Sequence, residues 1–184
     1  MMRELTIDII YINTLNNNSF ASLDSRKRIK KLQHQLGQYM LSQISYKKGY
    51  SISHSHMCVA LASYVNRVGI DIELINKTKK ARIQFLSKSE KQLVNRYGFT
   101  RIWTLKEAIA KYHTVGLPRL NTVEIKEINA SNVIYFVNKA PRKLQYKFLD
   151  IIPSYRLSVV AKKVSSFCIR ITQEEDLKGL IRRM

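Results

Sequence analysis

Asp71 and Glu73 stand two residues apart inside the apolar run "VGIDIELIN" (68–76). In an extended strand such residues point to one side, so both carboxylates share a face while Ile70, Ile72 and Leu74 fill the other. Like charges placed this way repel and lose hydration unless a cation lies between them. Hard oxygen ligands at this spacing suit magnesium, which takes one or two carboxylates and completes its shell with water and substrate phosphates. An ordinary edge strand with a wet outer face would give the same pattern. A third carboxylate comes from "IWTLKEAIAKY" (102–112), where Glu107 lies one turn after Trp103 and four residues before Lys111. A surface ion pair would account for Glu107 and Lys111. A carboxylate beside a large aromatic anchor points further, to a boundary between core and cleft.

"SISHSH" (51–56) adds a second polar group. His54 and His56 read as sharing a strand face, but no further His or Cys stands at zinc-ligand spacing. His54, flanked by Ser53 and Ser55, suits hydrogen bonding to a phosphate better than metal ligation.

The elements that would position these groups follow from periodicity. "LTIDIIYI" (5–12) reads as a strand, and apolar residues at 29, 32, 36, 40 and 44 predict a helix from Asp24 to about Gln43, capped by Asp24 or Ser25. Its first turns carry Arg26, Lys27, Arg28, Lys30 and Lys31, the unfavourable sign for that end of the helix dipole, which a need for cations there would explain. A turn and two strands follow over 46–65, then the carboxylate strand. Helices are expected over 81–98, interrupted near Ser87 where Ser87 and Glu90 have capping-box spacing, and over 100–116. Four strand-like runs come after "GLP" (116–118), and "EEDLKGLIRRM" reads as a closing helix. The order of strands and helices predicts two small α+β units, 1–67 and 68–184, rather than a doubly wound sheet.

Composition narrows the partners. The 184 residues are 45% hydrophobic, enough for a proper core, and the formal net charge of +19 calls for an anionic partner. Cys58 and Cys168 lie far apart in apolar runs and read as free buried thiols of a reducing cytoplasm. The N-terminus lacks the pattern of a signal peptide, and no window approaches the ~20 apolar residues of a membrane span, so a soluble cytoplasmic protein is expected.

The chain resembles the Sfp-type 4'-phosphopantetheinyl transferases. Their hallmarks are a (V/I)-G-(I/V)-D-(I/V)-E strand, here "VGIDIE" (68–73), and a W-x-x-K-E-(A/S)-x-x-K helix, here "WTLKEAIAK" (103–111). "SISHS", "FLSKSE" (85–90), the "GLP" that follows the helix and "YRLSVVA" (155–161) match in order. The resemblance implies an α+β pseudo-dimer of two similar halves, with coenzyme A in the cleft between them and the metal site in the second half. It implies Asp71, Glu73 and Glu107 as ligands of Mg2+, with Mn2+ as a substitute. Glu107, or the metal-bound water, would take the proton from a carrier-protein serine. The catalytic set would be Glu107, Lys111 and Glu73, with Lys111 neutralising the leaving phosphate. Ser53, His54, Asp71, Lys106 and Lys111 would contact coenzyme A, and Glu90 matches an acidic position near the metal. Two departures bear on the nucleotide end. "YKKGY" (46–50) replaces a G-K-P loop, leaving Lys47 or Lys48 as the substitute. Gln33 and His34 stand where an arginine is common, which moves nucleotide contacts to Arg26 and Lys30. The implied partners are coenzyme A and an acidic acyl or peptidyl carrier protein, with neither membrane nor nucleic acid, and a monomer suffices.

Two rival readings use the same residues. Asp71 with Glu124 and Lys126 of "VEIKEI" has the D…E-x-K pattern of a metal-dependent nuclease, and the charge suits a nucleic-acid backbone. That leaves Glu73 and Glu107 without a task. A basic nucleic-acid-binding module would interleave cations with exposed Tyr46, Tyr50, Tyr97 and Tyr112.

Overall fold

A computed structural model describes residues 4–12, 23–44, 49–75 and 82–173. Its first part runs β1 (Glu4–Tyr11), α1 (Leu23–Ser42), β2 (Gly49–Ser55), β3 (Cys58–Tyr64) and β4 (Val68–Leu74). After a 3-10 turn at Ile83–Phe85 come α2 (Lys88–Tyr97) and α3 (Phe99–Tyr112), with a second 3-10 segment at Leu117–Thr122. Five strands complete the order: β5 (Val123–Ile128), β6 (Asn132–Val137), β7 (Ala140–Leu149), β8 (Tyr155–Ala161) and β9 (Ser166–Gln173). The architecture is α+β, as the sequence predicts. One sheet has four strands in the order β2-β3-β1-β9, the other five in the order β4-β8-β7-β6-β5.

Period-two alternation decides the layers. Leu5, Ile7 and Ile9 of β1 and Ala60 and Ala62 of β3 meet Ile70 and Ile72 of β4 and Leu157 and Val159 of β8, forming a core between the two sheets. The opposite face of the first sheet, with Ile10, Val59 and Leu61, is covered by Leu36 and Met40 of α1. On the second sheet, α3 packs Ile102, Leu105 and Ile109 against Val123, Tyr135 and Val160. Each fully buried side chain of this kind contributes about 1.5–3 kcal/mol.

β2 and β4 are the facing edges of the two sheets, and serines join them. The N–H groups of Ile70, Ile72 and Leu74 donate to Oγ of Ser51, Ser53 and Ser55 at 3.1, 3.4 and 3.2 Å. Side-chain oxygens at alternate positions thus satisfy an edge that would otherwise be left open.

Several expectations change. β9 pairs in parallel with β1, from Glu4↔Ser166 to Tyr11↔Gln173, so residues 166–173 belong to the first sheet and not to the 68–184 unit. The second long helix ends at Tyr112, not at 116, and α1 begins at Leu23, one residue before its expected cap. His56 has φ 53° in the β2–β3 turn and leaves the strand face of His54. Lys47, Lys48, Tyr46 and the closing helix lie outside the described residues.

Candidate active site

Gly69 sets the geometry. A Cβ there would run into the Ala108 carbonyl of α3, so only glycine lets that helix lie directly on β4. The close approach brings Glu107 and Lys111 over the outer face of β4, where Asp71 and Glu73 project. Asp71, Glu73 and Glu107 each offer a carboxylate oxygen, and these atoms lie within 4.8 Å of one another. The ion-pair rule for Glu107 and Lys111 on one helix is not what the lysine follows: Lys111 Nζ donates to Asp71 Oδ1 at 2.7 Å.

The three carboxylates are unequally supplied. Asp71 is buried, and its Oδ1 accepts from both Lys111 and Ser53, the latter at 2.7 Å. Its Oδ2 is buried with no hydrogen-bond partner among the described residues. Burial raises the Asp71 carboxyl above its ordinary value despite Lys111. Glu107 is pushed up to about 7, first by burial and then by the Asp71 charge. Glu73 accepts from Ser55 Oγ at 2.8 Å on Oε2 and pairs through Oε1 with Arg82. A buried orphaned oxygen, a carboxyl driven toward protonation and an all-oxygen donor set together fit a hard divalent cation.

The trio lines a cleft of about 540 Å³ together with Ser53, His54, Arg82, Lys111 and the Gly116–Leu117 turn. His54 is held below its ordinary value by burial and by Lys111, so a neutral imidazole faces the cleft. Ser53 reaches the cleft with its hydroxyl already donated to Asp71. Arg26 and Lys30 stand exposed on α1 and are not among the cleft-lining residues.

Two sequence assignments need correction. Lys106 does not face the cleft: its ammonium, 1% exposed, gives its bonds to both Glu90 oxygens and the Val123 carbonyl. Glu90 is 0% exposed and also accepts from the N–H groups of Ser87, closing the capping box of α2, and Ile125. The pair is a structural clamp between α2, α3 and β5. Adjacent helical residues diverge by about 100°, and Lys106 shares its side with Ile102 and Ile109, a signal that could have placed it inward. Arg82 is the residue that sequence reasoning missed. Its guanidinium carbon lies 4.9 Å from the Trp103 ring centroid, against the aromatic anchor of α3.

The nuclease arrangement does not form. Glu124 pairs with Lys126 at 2.6 Å and accepts from Ser89, and Glu124 is not part of the carboxylate group around Asp71. Of the tyrosines in the binding-module reading that are described, Tyr97 and Tyr112 pack against the core of the second sheet and Tyr50 is exposed.

No curated protein matches the chain. A family model described as the 4'-phosphopantetheinyl transferase superfamily matches residues 67–160, just over half of the length, from the turn before β4 to β8. That span holds the whole carboxylate trio with Arg82 and Lys111, and the chain belongs to the 4'-phosphopantetheinyl transferase superfamily.

Proposed function

We propose that the protein is an Sfp-type transferase that moves the 4'-phosphopantetheine group of coenzyme A to a serine of an acyl or peptidyl carrier protein, releasing adenosine 3',5'-bisphosphate. The observation that carries this reading is the convergence of Asp71, Glu73 and Glu107 within 4.8 Å, beside Lys111, inside the matched span. The Sfp-type and pseudo-dimeric readings are supported by the helix-covered sheets on either side of the β2–β4 seam. One half is β1–β3 with α1, the other β4–β8 with α2 and α3, with β9 returning to the first. A single chain then supplies both walls of the cleft, which supports a monomer. No described helix is long and apolar enough to cross a membrane, and cytoplasmic action on a diffusible carrier fits that.

Asp71, Glu73 and Glu107 would hold the Mg2+ ion, for which Mn2+ can stand in. When bound, the ion would neutralise charge on the coenzyme A pyrophosphate. Glu107, brought from α3 to the side of Asp71 and Glu73, accepts the carrier serine proton. The serine Oγ forms a bond to the phosphorus next to pantetheine as the bridging P–O bond breaks. Lys111, fixed on Asp71, neutralises the departing bisphosphate. His54 orients phosphate at the cleft wall, while Ser53, whose one proton is donated to Asp71, holds that carboxylate in place beside it. The surplus of +19 draws in both a polyanionic coenzyme and an acidic carrier.

Mass spectrometry of several apo carrier proteins, incubated with coenzyme A, Mg2+ and the enzyme, tests this. A phosphopantetheine adduct on the carrier serine is expected. It should be absent with Glu107→Gln and unchanged with Lys126→Ala. No adduct on any carrier, or nuclease activity that needs Lys126, would overturn it.

A further inference from the structure

We propose that Arg82 is a tethered cation: it holds Glu73 while the metal is away and turns to the substrate's phosphates when the metal takes that carboxylate. The inference rests on the reading of the trio as a cation site and adds a residue to it. Among the three carboxylates, Asp71 Oδ2 is buried and has no hydrogen-bond partner among the described residues. Glu73 is the one already matched, by Ser55 on one oxygen and by the Arg82 guanidinium on the other. A dication drawn by all three carboxylates meets Arg82 on the same carboxylate, and two cations there repel. Entry of the ion therefore displaces the guanidinium from Glu73.

Where the displaced group goes is also written in the structure. Arg82 lines the same cleft as Lys111 and His54, and its side chain is 28% exposed. One of its N–H donors is spent on Glu73, while its carbon centre sits 4.9 Å from the Trp103 ring centroid. Cation–π contact with a buried tryptophan keeps the group at the cleft wall while its remaining donors stay available. A planar fork of donors is suited to a phosphate in two-point contact, which a lysine cannot reproduce. Lys111 and Arg82 then flank the trio, one on Asp71 and the other on Glu73, as two cations for the two phosphates of a pyrophosphate. Metal binding and pyrophosphate binding become reciprocally coupled through this one side chain.

The test measures binding rather than turnover, on the full chain, by calorimetry. With Mg2+ alone, Arg82→Ala is expected to bind about tenfold more tightly than the parent, because Glu73 loses its internal competitor. With inorganic pyrophosphate titrated at saturating Mg2+, the same variant is expected to bind about tenfold more weakly, for loss of one charge-assisted contact. Arg82→Lys should restore the parent Mg2+ affinity without restoring pyrophosphate affinity in full. In a Glu73→Gln background, Arg82→Ala should no longer tighten Mg2+ binding. Arg82→Gln serves if the alanine variant fails to fold. Opposite signs in the two titrations support the tether. Weakening of both, the result of a purely structural arginine, overturns it. Tighter Mg2+ with unchanged pyrophosphate, the result of a mere counter-ion, also overturns it. A carrier left unmodified would defeat the transferase reading while these titrations still decide the role of Arg82.

Discussion

Two lysines of α3 each reach a carboxylate supplied by another element, and the two pairs have opposite characters. Lys106 and Glu90 are shut in the core, and each Glu90 oxygen accepts from Lys106 and from a backbone N–H. Lys111 and Asp71 stand at a cleft, with Oδ1 doubly engaged and Oδ2 buried and unpaired. A fully satisfied buried pair fixes helix against helix and has nothing left to offer. An incompletely satisfied one stores an electrostatic deficit that a ligand can relieve. The first is scaffold and the second is chemistry, although both lysines come from the one motif "WTLKEAIAK".

That contrast breaks first at Asp71. Asp71→Asn should cut phosphopantetheine transfer by three to four orders of magnitude, about 5 kcal/mol of transition-state stabilisation, while the metal-free protein stays folded. Steady-state rates and a denaturation curve on one preparation check both halves. Lys106→Met should do the reverse. Leaving Glu90 buried and unpaired costs about 3–5 kcal/mol of stability by urea titration, with kcat of the folded protein within a few-fold of the parent.

Proton competition gives the next largest effect. Glu107 has a folded value of about 7, above its ordinary carboxylate value, so the native metal-free state binds more protons than the unfolded state. The stability that Glu107 contributes to the metal-free protein is therefore full below the ordinary carboxylate range and is lost as pH rises through about 7. Asp71 is displaced in the same direction by burial. Saturating Mg2+ should remove that decline, and its apparent affinity should climb toward pH 7 by up to about tenfold per pH unit for one displaced proton. Thermal melts from pH 5.5 to 8, with and without Mg2+, read this. The smallest effect belongs to the seam. Ser55→Ala removes a bond to Glu73 and a partner for the Leu74 N–H, costing about 1–2 kcal/mol in a melt and only a few-fold in rate.

Much of the site was legible because two short periodicities carry it. A strand period placed Asp71 beside Glu73, and a helix period placed Lys111 on the cleft side of Glu107. The glycine of "VGIDIE" became meaningful only with the helix laid on it, since close approach is a tertiary fact. Alternate serines in β2 suit phosphate contact and strand-edge satisfaction equally well, and nothing local says that Ser51 and Ser55 serve the seam. The β1–β9 pairing joins Asp8 to Arg170 across almost the whole chain, and residue pattern does not determine such a register. Arg82 escaped notice because its turn lies between the recognisable motifs, and its meaning depends on Trp103 and Glu73 meeting in space.

The central claim is that one hard dication belongs among Asp71, Glu73 and Glu107. Titration of Mn2+ into the full chain, with free ion counted by electron paramagnetic resonance, tests it most directly. One saturable site per chain is predicted, displaced by Mg2+ and lost in Asp71→Asn. Equal binding by the parent and that variant, or none by either, would contradict the account.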